Sequence, residues 1–199
     1  MSRKAFFNKA ADTWDERFCT PSLSSFLEKL VPQFGLEAGQ TVLDVGTGTG
    51  VLIPYLIKEV GAGGSVTAID YSENMIEICK TKHGHLENVA VEVKNIEEDA
   101  FPPESFDAVV CFGVFPHLEN KEKVLQNINR MLKPAGILII AHALSSEEIK
   151  VHHKNASCVV CHDVLPEMKP LLEKTGFSGI SIKDEPGCYL CIVHKVIVK

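Results

Sequence analysis

Apolar residues along this chain follow two rhythms. Over residues 1–37 they recur at helical spacing. Phe6, Phe7, Ala10, Ala11 and Trp14 share one side of a first helix, and Leu23, Phe26, Leu27, Leu30 and Phe34 share one side of a second, over about Ser24 to Phe34. After that, short apolar runs alternate with helical stretches. Strands are predicted at Thr41–Val45, Ser65–Asp70, Val89–Val93, Phe106–Phe112 and Ile137–Ala141. Helices are predicted over about Val51 to Val60, Glu73 to Lys82, Lys121 to Leu132 and Glu167 to Thr175. Pro134-Ala-Gly136 reads as a turn. Two last strands, about Ser178–Lys183 and Tyr189–Val198, flank Asp184-Glu-Pro-Gly187 and read as a hairpin. Continuous apolar strands fit a parallel sheet buried on both faces. The pattern predicts an α/β, Rossmann-like, doubly wound sheet of seven strands. Its last strand is antiparallel in the C-terminal hairpin, and a helical cap precedes it.

Length and charge narrow the function class. The 199 residues suit one domain. No apolar run reaches the ~18 residues of a membrane span, and the N-terminus has no apolar stretch behind its basic residues, so the expectation is a cytoplasmic protein. A formal net charge of −6 points away from nucleic acid and membrane surfaces. Seven cysteines without a secretory signal read as reduced thiols.

The chemistry starts at Thr41-Val-Leu-Asp-Val-Gly-Thr-Gly-Thr-Gly50, a strand running into a glycine turn and then a helix. That is the opening of a nucleotide-binding βαβ unit. A dinucleotide loop wants Gly-x-Gly-x-x-Gly, but three residues past Gly48 stands Val51. A phosphate loop wants Gly-Lys-Ser/Thr, which does not follow Gly50. Asp44, just before the turn, repels pyrophosphate and attracts an ammonium or sulfonium group. Asp70, 20 residues beyond Gly50, ends the second strand, where a carboxylate accepts hydrogen bonds from ribose hydroxyls. Ribose with a cationic tail and no phosphate describes S-adenosylmethionine.

Four segments together resemble the class I S-adenosylmethionine-dependent methyltransferases. Val42–Gly50 is similar to their first motif, Ala68-Ile-Asp-Tyr-Ser-Glu-Asn-Met75 to the second, Phe106–Leu118 to the fourth and Arg130–Leu138 to the fifth. Phe7-x-x-x-Ala11-x-x-Trp14-Asp15 resembles the opening segment of the ubiquinone and menaquinone biosynthesis branch. The resemblance implies that Gly46, Thr47, Gly48 and Gly50 lie against the methionine part of the cofactor and that Asp44 faces its amino group. It implies that Asp70 holds the ribose, with Tyr71 and Met75 near the adenine. Asn95 and Ile96 take the third motif, where the family often has Asp. Phe112 and Gly113 lie beneath the sulfonium. S-adenosylhomocysteine is then the product. The chain divides into a cap (1–37), a cofactor-binding core (38–145), a substrate-side insert (146–166) and a helix with the terminal hairpin (167–199).

The acceptor is less legible. His117 follows the fourth strand and His142 ends the fifth, so both are candidates for a catalytic base or a substrate contact. Phe115-Pro-His117 stands where enzymes acting on base amino groups carry Asn/Asp-Pro-Pro-aromatic, which points to a small-molecule acceptor. Trp14, Phe6 and Phe7 are candidates for a lid, or simply pack against the sheet. In the insert, His152, Cys158, Cys161 and His162 offer ligands for zinc or another soft metal. The competing reading is a cover segment with free thiols. Cys158-Val-Val-Cys161-His162 also has the spacing of c-type haem attachment, which a chain without a signal peptide disfavours. Cys188 and Cys191 fall on opposite faces of a strand and cannot readily share an ion. Other readings are a domain that binds nothing, a non-catalytic cofactor-binding or metal-sensing domain, and a nicotinamide oxidoreductase, the last disfavoured by the glycine spacing. The oligomeric state is left open.

Overall fold

The computed structural model describes residues 2–99, 101–155, 165 and 167–197. Two compact units are formed, Met1–Asn95 and Ile96–Lys199.

The first unit begins with helices α1 (Arg3–Ala10), α2 (Trp14–Phe18) and α3 (Pro21–Leu30). It continues with β1 (Thr41–Val45), α4 (Ile53–Val60), β2 (Ser65–Asp70), α5 (Glu73–His83) and β3 (Val89–Val93). The strands are parallel in the order β3-β2-β1, with Asp44 opposite Ala68 and Asp70 opposite Val93. Each boundary has a local cause. The Thr20 hydroxyl caps α3 and Pro21 opens it. Leu52 and Pro54 delay α4 to Ile53, two residues later than the apolar spacing predicts. The Ser72 hydroxyl accepts the Met75 N–H and starts α5, as expected. Ile53, Ala68 and Cys79 form a buried cluster joining α4, β2 and α5, flanked by Ile57, Leu86, Val89 and Val91.

The second unit carries β4 (Phe106–Phe112), α6 (Lys121–Met131), β5 (Leu132–His142), α7 (Ser146–Asn155), α8 (Met168–Lys174), β6 (Phe177–Glu185) and β7 (Cys188–Lys195). The strand order is β4-β5-β7-β6. β4 and β5 are parallel, and β7 is antiparallel to both β5 and β6. The expected fold class, with its antiparallel C-terminal hairpin, is thus borne out across the seven described strands.

One local reading needs correction. Pro134-Ala-Gly136 is not a turn outside the sheet. β5 starts at Leu132, and the register slips between the pairs Phe106–Leu132 and Ala108–Ile137, with Ala135 at φ +60°. The three residues form an irregularity inside the strand. The insert, for which no element was expected, begins as helix α7. Ser145 and Glu148 cap α7 reciprocally: the Ser145 N–H donates to the Glu148 carboxylate at 2.7 Å, and the Glu148 N–H to the Ser145 hydroxyl at 3.2 Å. Among the described residues no helix is long and apolar enough to cross a membrane.

Candidate functional site

The C-terminal ends of β1, β2 and β3 bring together the first unit's site residues. Asp44 is the fourth residue of β1 and is 1% exposed. Thr47 donates its hydroxyl to the Asp44 carboxylate at 2.7 Å. Thr47 N–H donates to the Ile69 carbonyl at 2.9 Å, and Gly50 N–H to the Thr47 carbonyl at 2.9 Å, so the loop stays tied to β2 while it turns. Gly46, Gly48 and Gly50 have φ of +68°, +55° and +89°. A side chain would strain all three positions. At Gly50 a Cβ would also lie 2.5 Å from His83 Cδ2.

Asp70 ends β2 at 8% exposure, and backbone N–H groups donate to its carboxylate. Gly48 N–H reaches one carboxylate oxygen at 3.0 Å, and Ser72 N–H the other at 2.8 Å. The Asp70 carboxylate and the glycine loop are therefore one bonded structure. Tyr71 follows Asp70, and Met75 is buried in the first turn of α5. Lys94 N–H donates to the Asp70 carbonyl at 3.0 Å, which places Asn95 immediately after the β2–β3 ladder.

Burial pushes the Asp44 carboxyl up to about 7. The Thr47 hydrogen bond opposes this and the neighbouring Asp70 charge adds to it. Burial likewise pushes Asp70 up to about 6, against the backbone hydrogen bonds from Ser72, Gly48 and Tyr71. Two desolvated carboxylates beside a glycine turn favour a cationic ligand with neighbouring hydroxyls, because it supplies what burial removed. Pyrophosphate would meet two like charges here. The two carboxylates and the loop backbone left bare at Gly46, Gly48 and Gly50 fit the methionine and ribose parts of S-adenosylmethionine.

In the second unit, Phe112 ends β4 opposite Ala141, and Gly113 N–H extends the ladder to the Ala141 carbonyl at 2.9 Å. His117 closes the short 3-10 turn Phe115–His117, and His142 is the last residue of β5. The Nδ1 atoms of both rings are buried. Both therefore stand at the C-terminal ends of neighbouring parallel strands. Ile96 is buried at the start of this unit.

Of the expected metal ligands, His152 lies on α7, whereas Cys158, Cys161 and His162 lie outside the described residues. Among the described residues no cluster of three or more His, Cys, Asp or Glu side chains is placed to hold a metal ion.

Several contacts to the site came from residues not singled out for it. Asp15 accepts the Thr49 hydroxyl at 2.5 Å and the Lys82 ammonium at 2.7 Å. Asn8 accepts the Ser72 hydroxyl at 2.5 Å. Trp14-Asp15 belongs to the resembling N-terminal segment and carried a signal, whereas Asn8 carried none.

The sequence pattern of a family described as a methyltransferase domain matches residues 36–182. A demethylmenaquinone methyltransferase of Staphylococcus aureus (strain MRSA252) is 36% identical over 112 residues, covering 56% of this chain and 46% of that protein. The chain thus spans about half the length of the curated relatives it matches. Among solved structures, a SAM dependent methyltransferase from Aquifex aeolicus aligns with a TM-score of 0.72 at 27% identity, over 97% of this chain and 98% of that one. A Haemonchus contortus phosphoethanolamine N-methyltransferase 2 in complex with S-adenosyl-L-methionine shares the fold at a TM-score of 0.75 and 24% identity, over 92% of this chain and 46% of that one.

Proposed function

The chain belongs to the methyltransferase domain family, and from that premise we propose that it transfers a methyl group from S-adenosylmethionine to a small-molecule acceptor. One observation supports the cofactor above the others. Asp44 and Asp70, both buried, are bonded to the two sides of the glycine loop, through Thr47 and through Gly48 N–H.

When bound, S-adenosylmethionine supplies a methyl group activated by its sulfonium. The protein's part is to bind, orient and exclude water. Asp44 takes the amino group of the methionine moiety and Asp70 the ribose hydroxyls. Gly46, Gly48 and Gly50 leave the loop bare, so its backbone approaches the ligand closely. Tyr71, Met75, Asn95 and Ile96 serve the adenine, and Phe112 with Gly113 the sulfonium side. His117 and His142, at the ends of β4 and β5, serve the acceptor, where a neutral imidazole accepts a proton from an oxygen or nitrogen nucleophile. The curated relative's name points to a quinone-type ring among the small acceptors to try first.

For the insert we favour the cover role over metal binding, since α7 is capped and clipped in place by side chains other than the expected ligands. Stoichiometric zinc or iron in protein purified without chelator would reverse that choice.

Calorimetry with S-adenosylhomocysteine is the test. Micromolar binding, weakened at least tenfold by Asp70→Ala, is expected. No binding to the wild type would remove the cofactor assignment, and with it the enzyme.

A further inference from the structure

Three polar side chains of the second unit stand in one row across its sheet. His142 of β5 pairs with Tyr189 of β7, and Tyr189 pairs with Asp184 of β6. Residues directly opposite in a ladder send their side chains to the same face, with Cβ atoms about 4.5–5.5 Å apart. The row also lies at one end of the sheet. β5 is parallel to β4 and ends at His142, and β7 runs back from there. Open α/β sheets take their ligands at this carboxyl end of the parallel strands.

The members of the row are not equally engaged. Asp184 is exposed, and its two carboxylate oxygens accept the Ser146 N–H, at 2.8 Å, and the Ser146 hydroxyl. Tyr189 is 3% exposed, so its ring is buried. Yet among the described residues its hydroxyl has no hydrogen-bond partner. Burial, then the neighbouring Cys191 and Asp184, pushes the phenol up, so the proton stays on. A buried tyrosine ordinarily bonds its hydroxyl. One that does not costs the fold stability, and phenylalanine would fill the same space without that cost. A polar group kept against stability, at the ligand end of a sheet and beside a histidine, marks a binding group.

We infer that Tyr189 binds the methyl acceptor: its hydroxyl donates a hydrogen bond to an oxygen of that molecule, beside His142. The inference rests on the methyltransferase reading above and narrows the acceptor class. A phenol that keeps its proton is a donor to a hydroxyl, phenolate or carbonyl oxygen, and the buried ring suits an apolar body around that oxygen. The Asp184 carboxylate, which would have drawn a cationic acceptor, is already held by Ser146.

The probes are p-cresol and toluene, one ring with and without an oxygen. Each is titrated by NMR into wild-type protein and Tyr189→Phe, with S-adenosylhomocysteine saturating, and the His142 ring resonances are followed. p-Cresol is expected to shift those resonances in the wild type and to bind at least fivefold more weakly to the variant. Toluene should not discriminate between the two proteins, and their affinities for S-adenosylhomocysteine should agree within twofold. In urea the free variant should unfold at the wild-type midpoint or a higher one, because it lacks only an unbonded hydroxyl. A lower midpoint means that the hydroxyl is bonded inside the fold, and it overturns the inference. So does p-cresol that fails to bind the wild type, or that binds both proteins equally. If the wild type binds no S-adenosylhomocysteine, the methyltransferase reading falls and this inference with it. If it binds and p-cresol does not discriminate, the role of Tyr189 falls alone.

Discussion

Gly48 donates its backbone N–H to the carboxylate of Asp70 at 3.0 Å, across 22 residues of chain. The acid proposed to hold the ribose thus also fixes the glycine loop. Asp70→Asn tests both roles. It keeps the volume and one acceptor oxygen, removes the charge and turns an amide NH2 onto one of the two backbone N–H donors. Burial makes the charge unfavourable in the free protein, but a buried N–H loses its acceptor, so stability is expected to fall by about 1–3 kcal/mol. Affinity for S-adenosylhomocysteine should fall at least about tenfold, or ~1.4 kcal/mol, since a charged acceptor is lost to the ribose. Urea melts and calorimetry on one preparation check both. A variant that binds as tightly as wild type would take the ribose contact away from Asp70.

The same burial gives the site a pH signature. Asp44, raised to about 7, and Asp70, raised to about 6, both lie above the ordinary 3.8. Between those values the folded protein holds protons that the unfolded chain has lost, so stability falls as pH rises through the window. The stabilisation is complete below pH ~4 and gone above ~7. A cationic ligand prefers the ionised carboxylates, so its binding strengthens over the same window, until its own amino group titrates near ~8. Melting temperatures of the free protein between pH 4.5 and 7.5 should therefore decline more steeply for wild type than for Asp44→Asn. Calorimetry at pH 6.5 in two buffers of different ionisation enthalpy should show proton release on binding. Proton uptake would contradict the pairing.

Gly50 offers a purely steric test. Its φ of +89° strains any side chain, and a Cβ would meet His83 Cδ2 at 2.5 Å and Cys79 Sγ at 2.8 Å. Overpacking and backbone strain each cost on the order of 1–3 kcal/mol, so Gly50→Ala should lower stability by at least about 2 kcal/mol in urea. His83→Ala added to it should return part of the loss, because the ring is removed and the strain stays. No recovery in the double variant would mean that His83 is not what fills the space behind the loop.

These residues show what the sequence could and could not reveal. Asp44, the glycines and Asp70 were legible because strand, turn and acid follow one another locally, and the βα register then sets their spacing. The run Leu132–Ile137 misled because Pro-Ala-Gly reads as a turn, although the ladder simply slips past it. The Ser145-x-x-Glu148 capping box lay in plain view ahead of α7, but the insert was weighed only by its histidines and cysteines, as a cover or as metal ligands, and its helix was not read. Asn8 with Ser72, 64 residues apart, has no local pattern at all. Only the fold brings such partners together, and hydrophobic periodicity contains nothing about which polar residue meets which.

Glu148 carries the last prediction. It accepts the Ser145 N–H at 2.7 Å and the Gly187 N–H at 2.8 Å, and so ties the start of α7 to the β6–β7 turn. The Ser146 N–H adds a second tie, to Asp184 at 2.8 Å. α7 begins four residues after His142, so this knot fixes the path of the chain leaving β5. The hydrogen bonds from Ser145 and Gly187 hold the Glu148 carboxyl below its ordinary 4.5, outweighing the small effect of burial. A lowered folded-state value means the tie is present above 4.5 and is lost only as pH falls through the lower value. The Gly187 amide resonance, followed by NMR from pH 7 downward, should titrate with a midpoint below 4.5. In Glu148→Gln, which keeps one acceptor oxygen but no charge, that titration should vanish and the first turn of α7 should exchange its amide hydrogens faster. A midpoint at or above 4.5, or a titration that survives in Glu148→Gln, would show that another group holds the turn.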